Sequence, residues 1–308
     1  MSKYFLAVDG GGTKTDTVCA DQSGAVVGRG LSGPTNLTST SVGAASFNLI
    51  ESIRQAVETL PESEQIGFPI LVMGLAGVDS QKEYQEAYDV FSRAVAHYKI
   101  DRFILMNDSM IALQNGTDSE SAVILIAGTG SICFGKNQAG ETAKTSGMDY
   151  LLADQGSGYD IGRHVLREAV KSYDGRSPKS LLEGLVCAHF KIGSIADLKN
   201  VVYHPPLNKI EVAELAPLCT QAFESGDAVA KDIFDWSIEG IILMVQTVVV
   251  QLKIEKFDLV LSGAITTIPY ISAGVCAALQ TQYPQMQIIH PKTDPVFGAL
   301  KIALRESL

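Results

Sequence analysis

Apolar residues follow two rhythms along this chain: short unbroken runs, and longer stretches in which they recur at helical spacing. Residues 4–8 form an apolar run that ends on Asp9 and three glycines, and they predict a strand. Residues 16–20 and 25–30 predict two more, with "DQSG" as the turn between them. Over 43–60, Phe47, Ile50, Ile53, Val57 and Leu60 fall at helical spacing. "PILVMGLAG" (69–77) reads as a buried strand entering a glycine loop, and 80–97 as a helix with Tyr84, Ala87, Phe91 and Val95 on one face. "FILMND" (103–108) is a further strand that ends on a polar pair. Strands alternating with helices predict an α/β fold, a mixed sheet covered by helices.

The pattern then restarts. "AVILIAGTGSICFGKNQAGE" (122–141) follows the plan of "FLAVDGGGTKTDTVCADQSGA" (5–25): an apolar strand, a Gly/Thr loop, a second strand and a polar turn closing on Gly. Few identities are shared, but the plan is that of a duplicated fold with one glycine loop per half. Beyond residue 157 the chain reads as mostly helical, with strands at 257–264 and 286–290 and a closing helix at 295–307 that starts with Pro. The expected domains are 1–116 and 117–308, the final helix 295–308 being able to pack back on the first. "IEGIILMVQTVVVQLKI" (238–254) is the most apolar stretch, yet it carries Glu239, Gln246, Gln251 and Lys253 and falls short of a membrane span, so it is read as a buried helix.

Composition narrows the function. Apolar residues make up 46% of the 308, enough for a full core, and charged residues 19%, too few for a disordered chain. A net charge of −10 and the lack of any basic run argue against nucleic-acid or anionic-membrane binding. The start "MSKYFLAVDGGG" does not read as a signal peptide. The cysteines at 19, 133, 187, 219 and 276 are scattered, with no CxxC or Cys/His cluster, which predicts reduced thiols in a cytoplasmic protein without structural zinc.

Chemistry gathers at the two glycine loops. Glycines at a strand tip let backbone N–H groups turn to a ligand without Cβ clashes. In the first loop Gly11 and Gly12 are joined by Thr13, Lys14 and Thr15, donors that suit phosphate. Asp9 would repel phosphate unless a cation lay between them, which predicts Mg²⁺ held through water. A tight hairpin that merely needs glycine is the alternative. The second loop offers Gly128, Thr129, Gly130 and Ser131. Facing each other, the loops would hold the β- and γ-phosphates of one nucleotide from two sides. "GSICFGKN" (130–137) nearly matches a P-loop, but Asn137 lacks the hydroxyl for Mg²⁺ and "SICF" reads as a strand. Neither loop completes GxGxxG, so a dinucleotide site is not supported.

"DGGGTKTD", "GLAGVD" (74–79), "ND" (107–108), "AGTGS" (127–131), "DQGSGYDIG" (154–162), "LSGA" (261–264) and "PVFGA" (295–299) occur in that order. Together they resemble the N-acetylglucosamine kinase/BadF-type family of the sugar kinase–Hsp70–actin superfamily, over nearly the whole chain. The resemblance implies two actin-like (ribonuclease H-like) domains with ATP and a sugar in the cleft between them, Mg²⁺ as cofactor, and a homodimer. It implies an ATP-dependent amino-sugar kinase that phosphorylates N-acetylglucosamine or a related hexosamine, at C6. Residues 9–16 and 127–131 would be the phosphate motifs, and Gly263 and Ala264 would lie against the nucleotide. Asp108 would be the catalytic base that faces the sugar hydroxyl, unless it merely caps the helix that follows. Asn36, in "GPTN", would hold a sugar hydroxyl, or serve only its own loop turn. Asp154 would bind sugar hydroxyls, or act only as a helix N-terminal acid. Gly128 is a further sugar contact by resemblance.

The chain departs from the family where many members have "GGWGxxLGDEGS". Here "TSGMDYLLADQGS" lacks the tryptophan and has Gln155 for the glutamate, and Tyr150 and Asp149 are expected to take over part of that wall. Glucosamine or N-acetylmuramic acid is therefore an alternative acceptor. An ATPase coupled to a protein partner is a second alternative, although no cysteine sits in a glycine-flanked loop suited to an interfacial iron–sulfur cluster. A sugar-sensing regulator is a third. A ROK-type kinase would carry a Cys-rich zinc motif, which is missing. The histidines at 97, 164, 189, 204 and 290 lack mutual ligand spacing and are read as structural or exposed, Trp236 as core, and "KSYDGRSPKS" (171–180) as a solvated loop.

Overall fold

The computed structural model describes residues 4–60 and 67–307. The chain forms two compact units, Met1–Asp118 with Pro291–Leu308, and Ser119–His290. Leu308, the last residue of the expected closing element, lies outside the described residues.

The first unit begins with three antiparallel strands, β1 (Phe5–Gly10), β2 (Thr15–Ala20) and β3 (Val26–Ser32). Helix α1 (Val42–Val57) follows, capped by Ser41, and then β4 (Phe68–Leu75), α2 (Gln81–Ala94), β5 (Ile100–Asn107) and α3 (Asp108–Gly116). The sheet order is β3-β2-β1-β4-β5, with β4 and β5 parallel to β1. Burial on both faces explains the unbroken apolar runs of β1 and β4. Leu6, Val8, Leu71 and Met73 pack under α1 and α2, whereas Phe5, Ala7, Ile70 and Val72 pack under α3 and the last helix. The buried face of α1 is Ala45, Leu49, Ser52, Ile53 and Ala56, shifted from the expected one, which leaves Phe47 64% exposed. The "FILMND" strand ends at Asn107, and Asp108 is already helical, because Asn107 accepts the Ser109 amide and caps α3.

The second unit repeats this topology. Its strands β6 (Ala122–Ala127), β7 (Ser131–Lys136) and β8 (Thr142–Ser146) are antiparallel. Helices α4 (Gly158–Asp174), α5 (Leu182–Phe190), α6 (Leu198–Tyr203), α7 (Lys209–Ala213), α8 (Ala216–Glu224) and α9 (Ala228–Leu252) precede β9 (Asp258–Ser262), α10 (Pro269–Gln282) and β10 (Gln287–Ile289). The order β10-β9-β6-β7-β8 mirrors the first sheet, with β9 and β10 parallel to one another and β9 to β6. Polar β8, "TAKTS", gave no strand signal in the sequence; it is an edge strand whose residues are exposed or half-buried. Helix α9 is long and apolar enough to cross a membrane by length and composition alone, but it packs on α4, α8, α10 and the sheet. Leu243 and Val250 nonetheless face outward, and Trp236 is 36% exposed and packed at a tilt against His164, so neither the helix nor its tryptophan is wholly core, contrary to expectation.

The chain returns to the first unit in α11 (Val296–Arg305), which lies on α3 and β1. Gly298 makes that approach possible, since a Cβ there would stand 1.8 Å from the Ile111 carbonyl oxygen.

Candidate active site

In the first unit the groups singled out by the sequence meet at the carboxyl ends of the parallel strands β1, β4 and β5, the edge where open α/β sheets bind ligands. Asp9 is the penultimate residue of β1, paired with Asp16 on β2 and Gly74 on β4. Asp16 is fully enclosed and neutralised by Arg29, whose Nε and Nη2 reach its carboxylate at 2.9 and 2.5 Å; Arg29 also binds Asp294. Among the described residues Asp9 has no such partner. Burial first, then the charges of Asp108, Asp16 and Asp294, push its carboxyl up to about 7, with Lys14 opposing them.

Asp108 occupies the first position of α3. Because Asn107 performs the capping, the Asp108 carboxylate is not needed for it. Asn107 is held in turn by its amide, which donates to the Val78 carbonyl (2.9 Å) and to Asp79 (3.3 Å). Burial, and next to it the charge of Asp79, raise the Asp108 carboxyl to about 6, against the lowering effect of the Ser109 and Asp108 amides. Among the described residues no side chain donates to it, so it stands as an acceptor that is ionised at neutral pH.

The first glycine loop is a tight turn. The Gly11 amide donates to the Lys14 carbonyl at 2.9 Å, and the Gly11 carbonyl accepts from Thr35 and Asn36. Gly11 is therefore consumed by the turn, contrary to its expected role as a phosphate donor. Thr15 is likewise internal, donating to the Gly33 carbonyl at 2.7 Å and to Thr35. Gly12, Thr13 and Lys14 are exposed, and among the described residues their amides and side-chain donors have no hydrogen-bond partner in the turn or elsewhere. Asn36 serves both readings. Its Oδ1 accepts from the Thr38 amide (2.9 Å) and hydroxyl (2.7 Å), as a loop asparagine would, while its Nδ2 lies 4.0 Å from where a Gly12 Cβ would be and donates to no described group.

A side chain at Gly12 meets nothing closer than that 4.0 Å contact, and Gly12 lacks a left-handed φ. Gly12→Val is accordingly expected to leave stability within about 0.5–1 kcal/mol of wild type and to weaken nucleotide binding at least ~10-fold by blocking the amide edge. Parallel thermal melts and nucleotide titrations check it. Substituting Gly11 instead would press on the Lys14 carbonyl, 3.2 Å away, and mix folding with binding.

In the second unit the tips of β6 and β9 lie side by side. Gly263 has φ +93°, and a Cβ would stand 2.3 Å from the Ala127 carbonyl oxygen, so glycine is required for this close approach. Ala264 is exposed beside it. The loop 128–130 is secured from behind: the Gly158 amide donates to the Gly128 carbonyl (2.7 Å), the Tyr159 amide to the Thr129 carbonyl (3.1 Å), and the Gly128 amide to the Gly130 carbonyl (2.9 Å). The start of α4, capped by Ser157, thereby holds the glycine loop.

Two expected ligand groups turn inward here. Ser131 is 4% exposed, and its amide donates to Asp154 Oδ1 (3.0 Å) and its hydroxyl to the Gln155 carbonyl (2.8 Å), which leaves it no donor for phosphate. Asp154 is 2% exposed; its second oxygen lies 2.8 Å from Lys209 Nζ, so its carboxylate is engaged within the unit rather than offered to a sugar. The open donors of this loop are the amides of Thr129 and Gly130 and the exposed Thr129 hydroxyl. Tyr150 packs on Tyr159, ring centroids 4.7 Å apart, under Lys209. Lys209 itself was not singled out by the sequence. It lies 55 residues from Asp154 in the chain, and only the fold brings them together.

Among the described residues no three His, Cys, Asp or Glu side chains gather as a metal-binding set. Asp9, whose carboxyl is raised by burial and then by neighbouring carboxylates, fits an ion that keeps most of its water and is completed by phosphate oxygens, which is how Mg²⁺ is usually held.

Comparison with known proteins agrees with this architecture. The model of the BadF/BadG/BcrA/BcrD ATPase family matches residues 6–303. An N-acetylmuramic acid/N-acetylglucosamine kinase of Clostridium acetobutylicum is 33% identical over 99% of this chain and 99% of its own. An N-acetyl-D-glucosamine kinase of Dictyostelium discoideum is 29% identical over the same shares. A Chromobacterium violaceum protein, provisionally described as an N-acetylglucosamine kinase, has a crystal structure that superposes with a TM-score of 0.78 over 98% of each chain. At 20% identity that likeness is one of fold.

Proposed function

Since the chain belongs to the BadF/BadG/BcrA/BcrD ATPase family, we propose that it is an ATP-dependent amino-sugar kinase that phosphorylates a hydroxyl of N-acetylglucosamine or a related hexosamine. The observation that carries the reading from family to reaction is Asp108: a half-buried carboxylate, freed from capping by Asn107, with its carboxyl raised to about 6. A general base works best with a pKa near the working pH. In this reading Asp108 accepts the proton of the sugar hydroxyl as the hydroxyl oxygen bonds to the γ-phosphorus, and the bond from that phosphorus to the bridging oxygen breaks to release ADP. Asn36 Nδ2 donates to the sugar. Gly12, Thr13 and Lys14 are the open phosphate donors of the first glycine loop, Thr129 and Gly130 those of the second, and Gly263 and Ala264 offer bare backbone to a nucleoside. Asp9 would hold Mg²⁺ through water, and the ion would supply charge neutralisation on the phosphates. C6 is the proposed acceptor position, and the cytoplasm, where ATP and reduced thiols coexist, the proposed compartment; the five cysteines are unpaired.

The test is ADP release with Mg·ATP, first without sugar and then with N-acetylglucosamine, glucosamine, N-acetylmuramic acid, N-acetylmannosamine and glucose in turn. Strong stimulation by a hexosamine, with the matching sugar phosphate by mass spectrometry and its position by NMR, is expected. Steady release that ignores every sugar would replace this reading with a partner-coupled ATPase.

A further inference from the structure

Lys209 is not used by the reading above, yet it bridges Asp149 and Asp154 in the second unit. Its ammonium lies 2.6 Å from Asp149 Oδ1 and 2.8 Å from Asp154 Oδ2. The two arms differ in kind. The Asp149 side chain is 67% exposed, so water screens that pair and it contributes little. The Asp154 side chain is 3% exposed, and an ionised carboxylate there needs a counter-charge. Oδ1 of Asp154 receives the Ser131 amide, whereas Oδ2 is buried without a well-directed hydrogen bond, so the ammonium is its compensation. Burial pulls the ammonium's pKa down, but the two carboxylates hold it above its ordinary value.

The backbone around this contact is strained. Ser146, Asp149 and Asp154 all have φ between 63° and 67°, a region that non-glycine residues rarely adopt and that persists only when neighbours enforce it. The Ser146 hydroxyl accepts the Asp154 amide at 3.0 Å. Gly130 closes the arrangement: a Cβ there would stand 2.8 Å from Asp154 Oδ2 and 2.9 Å from Lys209 Nζ. The ammonium is delivered from a defined place, because Asn208 and Glu211 form a capping box at the start of α7.

We infer that Lys209 is a positioning residue for the second phosphate loop: it keeps the enclosed Asp154 carboxylate in place, and Asp154, through the Ser131 amide, sets the conformation in which Thr129 and Gly130 are presented. The inference rests on the kinase reading only where nucleotide affinity is the readout. It is tested with amide hydrogen exchange over 128–131 and Mg·ADP titration on wild type, Lys209→Met, Lys209→Arg and the double variant Lys209→Met/Asp154→Asn. Lys209→Met should speed exchange at Ser131 about 10-fold or more and weaken Mg·ADP by about 10-fold. Lys209→Arg, which keeps the charge, should recover most of both. The double variant should return exchange towards wild type, since the enclosed charge is gone and asparagine still accepts the Ser131 amide. A folded Lys209→Met protein with wild-type exchange at Ser131 overturns the inference. Should that variant not fold, the double variant decides: a folded double supports a charge lock, and an unfolded one assigns Lys209 to packing and sinks it. If wild type itself binds no Mg·ADP, the kinase reading fails while the exchange result still judges Lys209.

Discussion

Asp108→Asn is expected to lower the rate of phosphoryl transfer by about 10²–10⁴-fold, the range that a positioned general base contributes, with Mg·ATP affinity changed less than ~3-fold. Asparagine keeps the size of the side chain and its place at the start of α3, and the cap is made by Asn107, so the fold should be unaffected. What is lost is the ability to accept a proton. A rapid-mix measurement of the chemical step beside a nucleotide titration separates the two effects. The pH dependence follows from the same group. Asp108 must be ionised to act, and burial raises its carboxyl to about 6, so kcat/KM should fall as pH drops below about 6. A flat profile down to pH 5, or near-normal turnover by Asp108→Asn, would remove Asp108 from the base role.

Asp9→Asn should act in opposite directions on stability and function. The Asp9 carboxyl is raised from 3.8 to about 7, by burial and by Asp108, Asp16 and Asp294. The folded protein therefore holds a proton there that the unfolded chain releases near pH 4. Stability contributed by this group is fully present below that pH and is lost as pH rises through about 7. Above pH 7 the native state carries an uncompensated carboxylate whose cost, at about 1.4 kcal/mol per unit, is on the order of 2–4 kcal/mol. Asparagine removes that charge, so the ligand-free variant should be more stable than wild type by this amount at pH 8 and by less than half of it at pH 5, where only the unfolded chain has released the proton. Urea titrations at the two pH values measure the difference. Mg²⁺ should raise the midpoint of wild type at pH 8 but not that of Asp9→Asn, because an ion that binds only the folded state stabilises by mass action. Equal Mg²⁺ responses would deny Asp9 the metal, and a variant less stable at pH 8 would mean that the carboxylate is compensated after all. Activity should fall in the variant whatever its stability, since phosphate charge would go unneutralised.

Much of the fold was legible from local pattern. β1 and β6 are enclosed on both faces, so their sequences are unbroken apolar runs, and the glycines after them mark strand tips. β8 was not legible, because a polar edge strand carries no burial signal. The face of α1 was misjudged at Phe47, whose helical spacing with Ile50 and Ile53 suggested burial although Ala45, Leu49 and Ile53 form the buried stripe. Asp108 was placed one residue too early, on the strand, because the capping competition between Asn107 and Asp108 depends on the loop that holds Asn107 through Val78 and Asp79.

By itself the sequence determined that this protein is an α/β chain of two like halves, each with a bare glycine loop at a strand tip and with Asp9, Asn36 and Asp108 at conspicuous positions. These are properties of neighbours in the chain: side-chain periodicity, the missing Cβ of glycine, and a polar residue ending an apolar run. Only the tertiary structure decided which of those donors are open and which are spent. Gly11, Thr15 and Ser131 are consumed by the backbone and by residues elsewhere in the chain, whereas among the described residues nothing consumes the amides of Gly12, Thr13, Thr129 and Gly130. It also decided that Asp16 is neutralised while Asp9 is not, and that Asp154 faces Lys209. The physical reason is that hydrogen-bond satisfaction and the charge state of an enclosed carboxylate depend on what stands within a few ångströms of it, and several of those neighbours, such as Lys209 beside Asp154, are far away along the chain.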